Sequence, residues 1–329
     1  MKKVILTSIG WIISIALLVS LAAKLDLGAL WQKLTQARWF FLALAAAVNL
    51  VVVALKALRF QWFILPAKRA SYGNMFKATM IGLAGNNLLP ARGGDWLRVY
   101  LLGKWERVSK TMLASVTGVD KLFDGISILI IFGLLSLTST FPSWVQKGTT
   151  IVSIVIAVGL AICLLLLFHH RRTSGYAASE LGPLSRLAKR LGQGMGIFTR
   201  RKLLVATLVT SVVICLLQIE TIRLCQLSFD SHTHIWVPAL VFVAINLAIV
   251  IPSAPSHIGP YEVAGVLAYS WLGIKAEAGM GIVLAYHAVQ FIPVTAIGLI
   301  FYFAAGLGRR PKQLIGEEGT EDNAPPRRE

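Results

Sequence analysis

Residues 85–98 read GNNLLPARGGDWLR and residues 251–262 read IPSAPSHIGPYE. Both stretches place proline, glycine and charge inside runs that are otherwise apolar. In hydrocarbon, backbone N–H and C=O groups outside a helix have no water to bond. Each unsatisfied group costs several kcal/mol unless protein or a watery cavity supplies a partner. Irregular backbone at these positions therefore marks the working parts of the chain. One stretch falls in each half, as expected of a transporter whose discontinuous helices meet near the membrane midplane.

Around these stretches the chain is strongly apolar, with a mean hydropathy of +0.70 and only 14% charged residues among 329. Runs of roughly 20 helical residues cross about 30 Å of hydrocarbon, and most of the chain consists of such runs. A soluble globular protein is excluded. The expected fold is an all-α polytopic membrane protein with about six spanning helices and a pair of oppositely oriented re-entrant broken-helix hairpins. The transmembrane domain is expected over 1–310, followed by a disordered, acidic and proline-rich cytoplasmic tail over 311–329.

The net charge of +17 would suggest nucleic acid in a soluble protein. Here the basic residues sit mainly in short connections between apolar runs, which is the positive-inside pattern, so no nucleic-acid partner is expected. Cys163, Cys215 and Cys225 lie in or beside apolar runs without CxxC or Cys/His spacing and read as packing residues.

Lys2 and Lys3 precede an apolar helix from about Val4 to Leu21. Ser20-Leu21-Ala22 loosely resembles a signal-peptidase site, but the run is long for a signal segment and an uncleaved anchor is expected. A short amphipathic stretch through Leu27, Leu30, Trp31 and Leu34 then lies on the outer interface, and the next helix, about Trp39 to Ala57, returns. Arg59, Lys68 and Arg69 precede the first break, while Lys104, Arg107 and Lys110 follow it. Positive charge on both flanks makes this a hairpin entered from the cytoplasm, bent around Pro90 to Gly94. Helices from about Thr111 to Leu137 and Ile151 to Phe168 lead to a basic segment in which Leu181, Leu184, Leu187 and Leu191 recur at helical spacing. This segment suits an anionic leaflet surface or a linker that sets orientation. After a helix from about Leu203 to Leu224, the polar residues 230–234 carry almost no Lys or Arg, so the second break enters from the opposite face. A last helix, about Ala278 to Leu307, brings the chain back. Both termini are then cytoplasmic, in the bacterial inner membrane.

The chemistry lies in the ionisable residues inside the membrane: Arg92, Asp95, Arg98, Asp120, Lys121, Asp124, Glu220, Arg223 and Glu262, with His257 and His287. Central charges cost at least about 2.5–3.5 kcal/mol each, so they should face the interior and pair. Glu220 and Arg223, three apart on one helix, read as an internal pair. Arg92 and Arg98 flank a helix restarting near Gly94, whose positive end and free N–H groups would make an anion cradle suited to phosphate. Asp95 caps that helix or holds an arginine. Asp120 and Asp124 share a helix face, where they hold the same arginines or bind protons in turn. Carboxylates alone do not specify a metal, and neither a metal nor any other cofactor is expected. In the second stretch Pro252, Pro255, Gly259 and Pro260 break the helix, and Glu262 mirrors Asp95. His257 is a candidate proton sensor, against the plainer reading of a hydrogen-bonded loop histidine.

Residues 87–98, from Asn87 through Pro90, Gly93 and Gly94 to Arg98, are joined by Asp120-Lys121-Leu122-Phe123-Asp124 and by Ile251 to Glu262. Together these resemble the flippase-like transmembrane family that includes the membrane half of lysylphosphatidylglycerol synthetases, the multiple peptide resistance factors. The similarity covers nearly all of the chain to about Arg310. Asp95 stands where that family usually has Glu, Asp120-Lys121 where it has Glu-Arg, and Ser256-His257 where it has a glycine pair. A single-domain member without the soluble aminoacyl-transferase domain is expected, so lysine transfer to lipid is not implied.

The resemblance implies lipid translocation between leaflets, with Arg92, Arg98 and Lys121 neutralising a headgroup phosphate. Asp95 and Glu262 would position the hairpins, and Asp120 and Asp124 would pair the bases between cycles. The expected partners are membrane lipids with anionic headgroups, and the sequence is also compatible with a homo-oligomer and with lipid-pathway enzymes. The rivals are an enzyme or accessory component of a glycolipid or hopanoid pathway, with Asp120 and Asp124 as acid and base, and a lipid-holding scaffold. The chain has no nucleotide loop, HExxH or GxSxG, and Gly192-x-Gly194-x-Gly196 follows no strand.

Overall fold

The computed structural model describes residues 2–23, 25–137, 141–173, 182–251 and 253–307. Pro252 and the tail beyond residue 307 lie outside the described residues. Among those described every regular element is helical, as the apolar periodicity predicts.

Helix α1 (Lys2–Ala22) is followed by α2 (Leu27–Thr35), and the chain bends by 91° between Trp11–Ala22 and Leu27–Thr35. Asp26 caps α2 by accepting the Ala29 N–H at 3.0 Å. The long helices are α3 (Trp39–Ile64), α6 (Lys110–Ser136), α7 (Ser143–Arg172), α9 (Arg201–Ser228) and α12 (Ala276–Ala304). Between them lie the shorter α4 (Tyr72–Leu88), α5 (Gly93–Glu106), α8 (Pro183–Gln193), α10 (Trp236–Ala248) and α11 (Pro260–Trp271). Of the leucines expected for the basic segment, Leu184, Leu187 and Leu191 fall in α8, and Leu181 lies outside the described residues.

Among the described residues, α3, α9, α12 and residues 143–170 of α7 are four spans long and apolar enough to cross a membrane, or five spans if α1 and α2 form one. Helix α6 has 27 residues, ample length at 1.5 Å per residue, but it carries Asp120, Lys121 and Asp124. On α7 the exposed Ile151, Ile154, Val155, Val158, Ile162 and Leu165 recur every three or four residues, an apolar stripe suited to lipid.

The chain is broken between α4 and α5 by a 3-10 turn (Pro90–Arg92), and between α10 and α11 by another (Pro255–His257). Helices α4 and α5 fold back antiparallel. A Cβ on Gly85 would come within 2.8 Å of the Gly94 Cα, and one on Gly82 within 3.0 Å of the Arg98 Cβ. A Cβ on Gly94 would run into the Gly82 carbonyl oxygen. Glycine therefore serves close helix packing here. The bend itself uses Arg92, the residue with left-handed backbone (φ 54°), while Gly93 is right-handed.

The α3 boundary corrects the sequence reading. The helix continues past Ala57 to Ile64, so Arg59 does not lie in a cytoplasmic connection but faces the interior, 1% exposed.

Candidate functional site

Helix α3 presents Asn49, Val52, Val53, Lys56 and Arg59 along one stripe, because residues three and four apart share a helix face. Arg59 is the hub of the interior charge. Its Nη2 donates to Asp120 Oδ1 at 2.7 Å and to Asp124 Oδ1 at 2.6 Å, and its Nη1 donates to Ser211 Oγ of α9 at 2.7 Å. The carboxylates sit one turn apart on α6 and converge on one guanidinium. Arg98 completes the cluster: its Nη2 reaches Asp120 Oδ2 at 3.4 Å, and its guanidinium lies 4.1 Å from the centroid of the Phe60 ring.

The sequence reading offered Asp120 and Asp124 as holders of Arg92 and Arg98; Asp120 does meet Arg98, but the shorter contacts of both acids are with Arg59. It put Arg92 and Arg98 together, and the structure separates them. Arg98 is buried. Arg92 is exposed at the tip of the first break, where its Nη2 approaches the Ile249 carbonyl at 3.4 Å. Among the described residues Asp95 meets no arginine within ion-pair distance. Its Oδ1 accepts from Asn86 Nδ2 and its N–H donates to Asn86 Oδ1, both at 3.1 Å, while Lys121 Nζ stands 3.6 Å from its Oδ2. Asn87 Nδ2 donates to Thr295 Oγ1 of α12 at 2.9 Å. Glu220 and Arg223 form the expected pair, with contacts at 2.6 and 2.7 Å.

At the second break Glu262 occupies the third position of α11, as Asp95 does in α5. Its Oε2 accepts the Gly259 N–H at 2.7 Å, and its Oε1 lies 2.6 Å from His287 Nδ1. His287 Nε2 is 3.0 Å from Ser256 Oγ, so a ring donating through Nδ1 to Glu262 accepts from the serine hydroxyl. Ser256 and His257 both have left-handed backbone, at φ 61° and 62°. That explains why a glycine pair suits these positions, and it costs this chain of order 1 kcal/mol at each. Gly259 has φ 100°, and a Cβ there would lie 2.9 Å from the Ser14 Cα. Ser14 clips the break to α1: its hydroxyl donates to the Ile258 carbonyl at 2.6 Å and accepts the Ala254 N–H at 2.9 Å.

Between the breaks lies a cavity of about 130 Å³ whose polar lining includes Asn49, Lys56, Asn87, Gln218, Ser256, His257 and Gln290. A wider opening of about 660 Å³ lies among Lys68, Arg107, His170 and Arg200, at the end of the molecule where the basic connections gather. Sequence reasoning missed Arg59, Lys56, Asn86 and Ser14. The first pair was legible as a continuation of the buried α3 stripe. The other two depend on contacts across the fold. Among the described residues no group of His, Cys, Asp and Glu is placed to hold a metal ion.

Apolar helices around a charged interior, with broken helices meeting at it, define a multi-pass helical membrane protein. The chain belongs to the family of the lysylphosphatidylglycerol synthase transmembrane region, whose model matches residues 7–298. It is similar to a UPF0104 membrane protein of Methanothermobacter thermautotrophicus, 24% identical over 92% of this chain and 97% of that protein. A second protein of that organism with the same description is 25% identical over 88% and 90% of the respective chains. A UPF0104 membrane protein of Methanocaldococcus jannaschii is 21% identical over 91% and 94%. No solved structure matches the chain.

Proposed function

We propose that the protein is a lipid translocase, a flippase or scramblase, that moves an anionic phospholipid or lipid-linked substrate between the leaflets of the cytoplasmic membrane. In this reading the α4–α5 and α10–α11 pairs are re-entrant hairpins of opposite orientation. About six spans surround them, and both termini are cytoplasmic. The observation that carries the proposal is the ionic cluster of Arg59, Arg98, Asp120 and Asp124 beside a polar cavity where the two broken pairs meet. Charge in hydrocarbon is expensive, and a fold that only needed to span the membrane would leave it out.

The roles divide by accessibility. Arg92 and Lys121, the exposed cations beside the first break, meet the headgroup phosphate as it enters. Arg98 and Arg59 set the positive potential behind them, held in place by Asp120 and Asp124. Asp95 and Glu262 brace the hairpins through Asn86 and His287, and His257 in the cavity wall is the group suited to couple movement to protons.

The test is leaflet-resolved exchange of labelled phosphatidylglycerol, phosphatidylethanolamine and a glycolipid in proteoliposomes. Lys121 is 41% exposed and its partner Asp95 17%, so Lys121→Gln should leave the fold intact. Exchange is expected to depend on the headgroup and to fall about tenfold in that variant, the scale of one lost charge-assisted contact. No exchange of any lipid by folded wild-type protein would overturn the proposal.

A further inference from the structure

One interior cation has no bonded partner. Arg59 and Arg98 take up Asp120 and Asp124, Lys121 faces Asp95, Arg223 faces Glu220, and Glu262 faces His287. Lys56 remains. Among the described residues no carboxylate lies within 4.0 Å of its ammonium and no hydrogen bond reaches it. It stands one helical turn from Arg59 and lines the cavity between the breaks. Asp124 and Asp120 act on it through space but are bonded to Arg59 and Arg98, so a bound anion would give the Lys56 ammonium a direct partner.

The rest of the cavity wall suits an anion. It contains no carboxylate: Glu262, the nearest along the chain, is turned to the Gly259 N–H and His287. The Tyr261 side chain is more than nine-tenths buried and lines the cavity, and among the described residues no hydrogen bond reaches its hydroxyl. The His257 ring joins the lining on strained backbone, and the amides of Gln218 and Gln290 supply further donors. The volume of about 130 Å³ is several times the roughly 30 Å³ share of one water molecule.

We propose that this cavity is an anion site for a singly charged phosphate group, with the Lys56 ammonium as its cation and the Tyr261 hydroxyl as a second donor. One ammonium without a bonded counter-ion matches one negative charge, the state of a phosphodiester or of dihydrogen phosphate. The lipid source of that phosphate rests on the translocase reading, whereas the site itself does not.

The experiment measures binding rather than flux. Purified protein in nanodiscs of zwitterionic lipid is titrated with dioctanoyl phosphatidylglycerol, then competed with inorganic phosphate. Wild-type protein should bind one equivalent. Lys56→Met should weaken binding at least about tenfold, Lys56→Arg should restore most of it, and Tyr261→Phe should weaken it severalfold while preserving the ring packing. Competition by millimolar phosphate would assign the site to a soluble anion, and its absence to a lipid headgroup. Either result supports the site. Wild-type affinity in both Lys56→Met and Tyr261→Phe, or no binding of either probe by wild type, would overturn it. If Lys56→Met fails to fold, Tyr261→Phe decides alone. Loss of binding in a variant that still translocates lipid would keep the site and remove the translocase pathway from it. Intact binding with no flux in wild type would sink only the translocase reading.

Discussion

Arg59 shows how one side chain can decide the electrostatics of a membrane interior. Its donors satisfy a carboxylate on each of two successive turns of α6 and a hydroxyl on α9, so removing it takes the shared cation from two carboxylates at once. Arg59→Met should cost about 3–5 kcal/mol, the usual penalty for breaking a buried pair from one side. The balanced double variant Arg59→Met with Asp124→Asn leaves Arg98 on Asp120 and should recover much of the loss. Thermal unfolding in detergent checks both, and equal instability of single and double variants would show that packing, rather than charge, dominates. Residue chemistry was only partly legible beforehand. Asp120, Asp124, Arg98 and Glu262 stood out as charges in apolar runs. Arg59 did not, because with basic residues following it resembled the flank of a helix assumed to end two residues earlier. Extending the helix by two turns would have carried the stripe of Asn49, Val52, Val53 and Lys56 on to Arg59.

Both broken elements were visible in the sequence as proline and glycine clusters, but the job of each residue within them was not. Gly94 reads like flexibility beside a bend. In the fold it is the contact point at which α5 lies on the backbone of α4, and the strained position is Arg92. Gly94→Ala should therefore destabilise the α4–α5 pair by about 1–3 kcal/mol, the range for forced overpacking. Gly93→Ala, whose Cβ would meet the Leu89 Cβ at 3.3 Å, should cost less than about 1 kcal/mol. Hydrogen exchange of α5 amides separates the two, and equal effects would return Gly94 to the role of a hinge. Asp95 and Glu262 open their helices at equivalent positions, yet their partners differ: an asparagine and a lysine for one, a backbone amide and a histidine for the other. A shared architecture has been filled with different chemistry, which is why no residue-level repeat shows in the sequence.

For the whole molecule, helix class and apolar surface followed from composition, whereas the interior arrangement required long-range contacts. The proposed orientation puts the Arg38–Asp230 ion pair outside and the α5–α6 connection inside. Cysteine introduced at Asp230 should accordingly react with an impermeant maleimide added to intact cells, and cysteine at Lys104 only after permeabilisation. The native Cys163, Cys215 and Cys225 are buried and should contribute little background. The reverse pattern would invert the topology and with it the assignment of the two hairpins to opposite faces. The Ser14 clip adds a constraint of a different kind. It joins positions 244 residues apart in the chain, so α1 must wait beside the growing protein, its hydroxyl uncommitted, until the second break is made. Assembly is thus tied between α1 and the second break. A nascent chain ending before Ile258 would leave the Ser14 hydroxyl without that acceptor, however well its earlier helices had inserted.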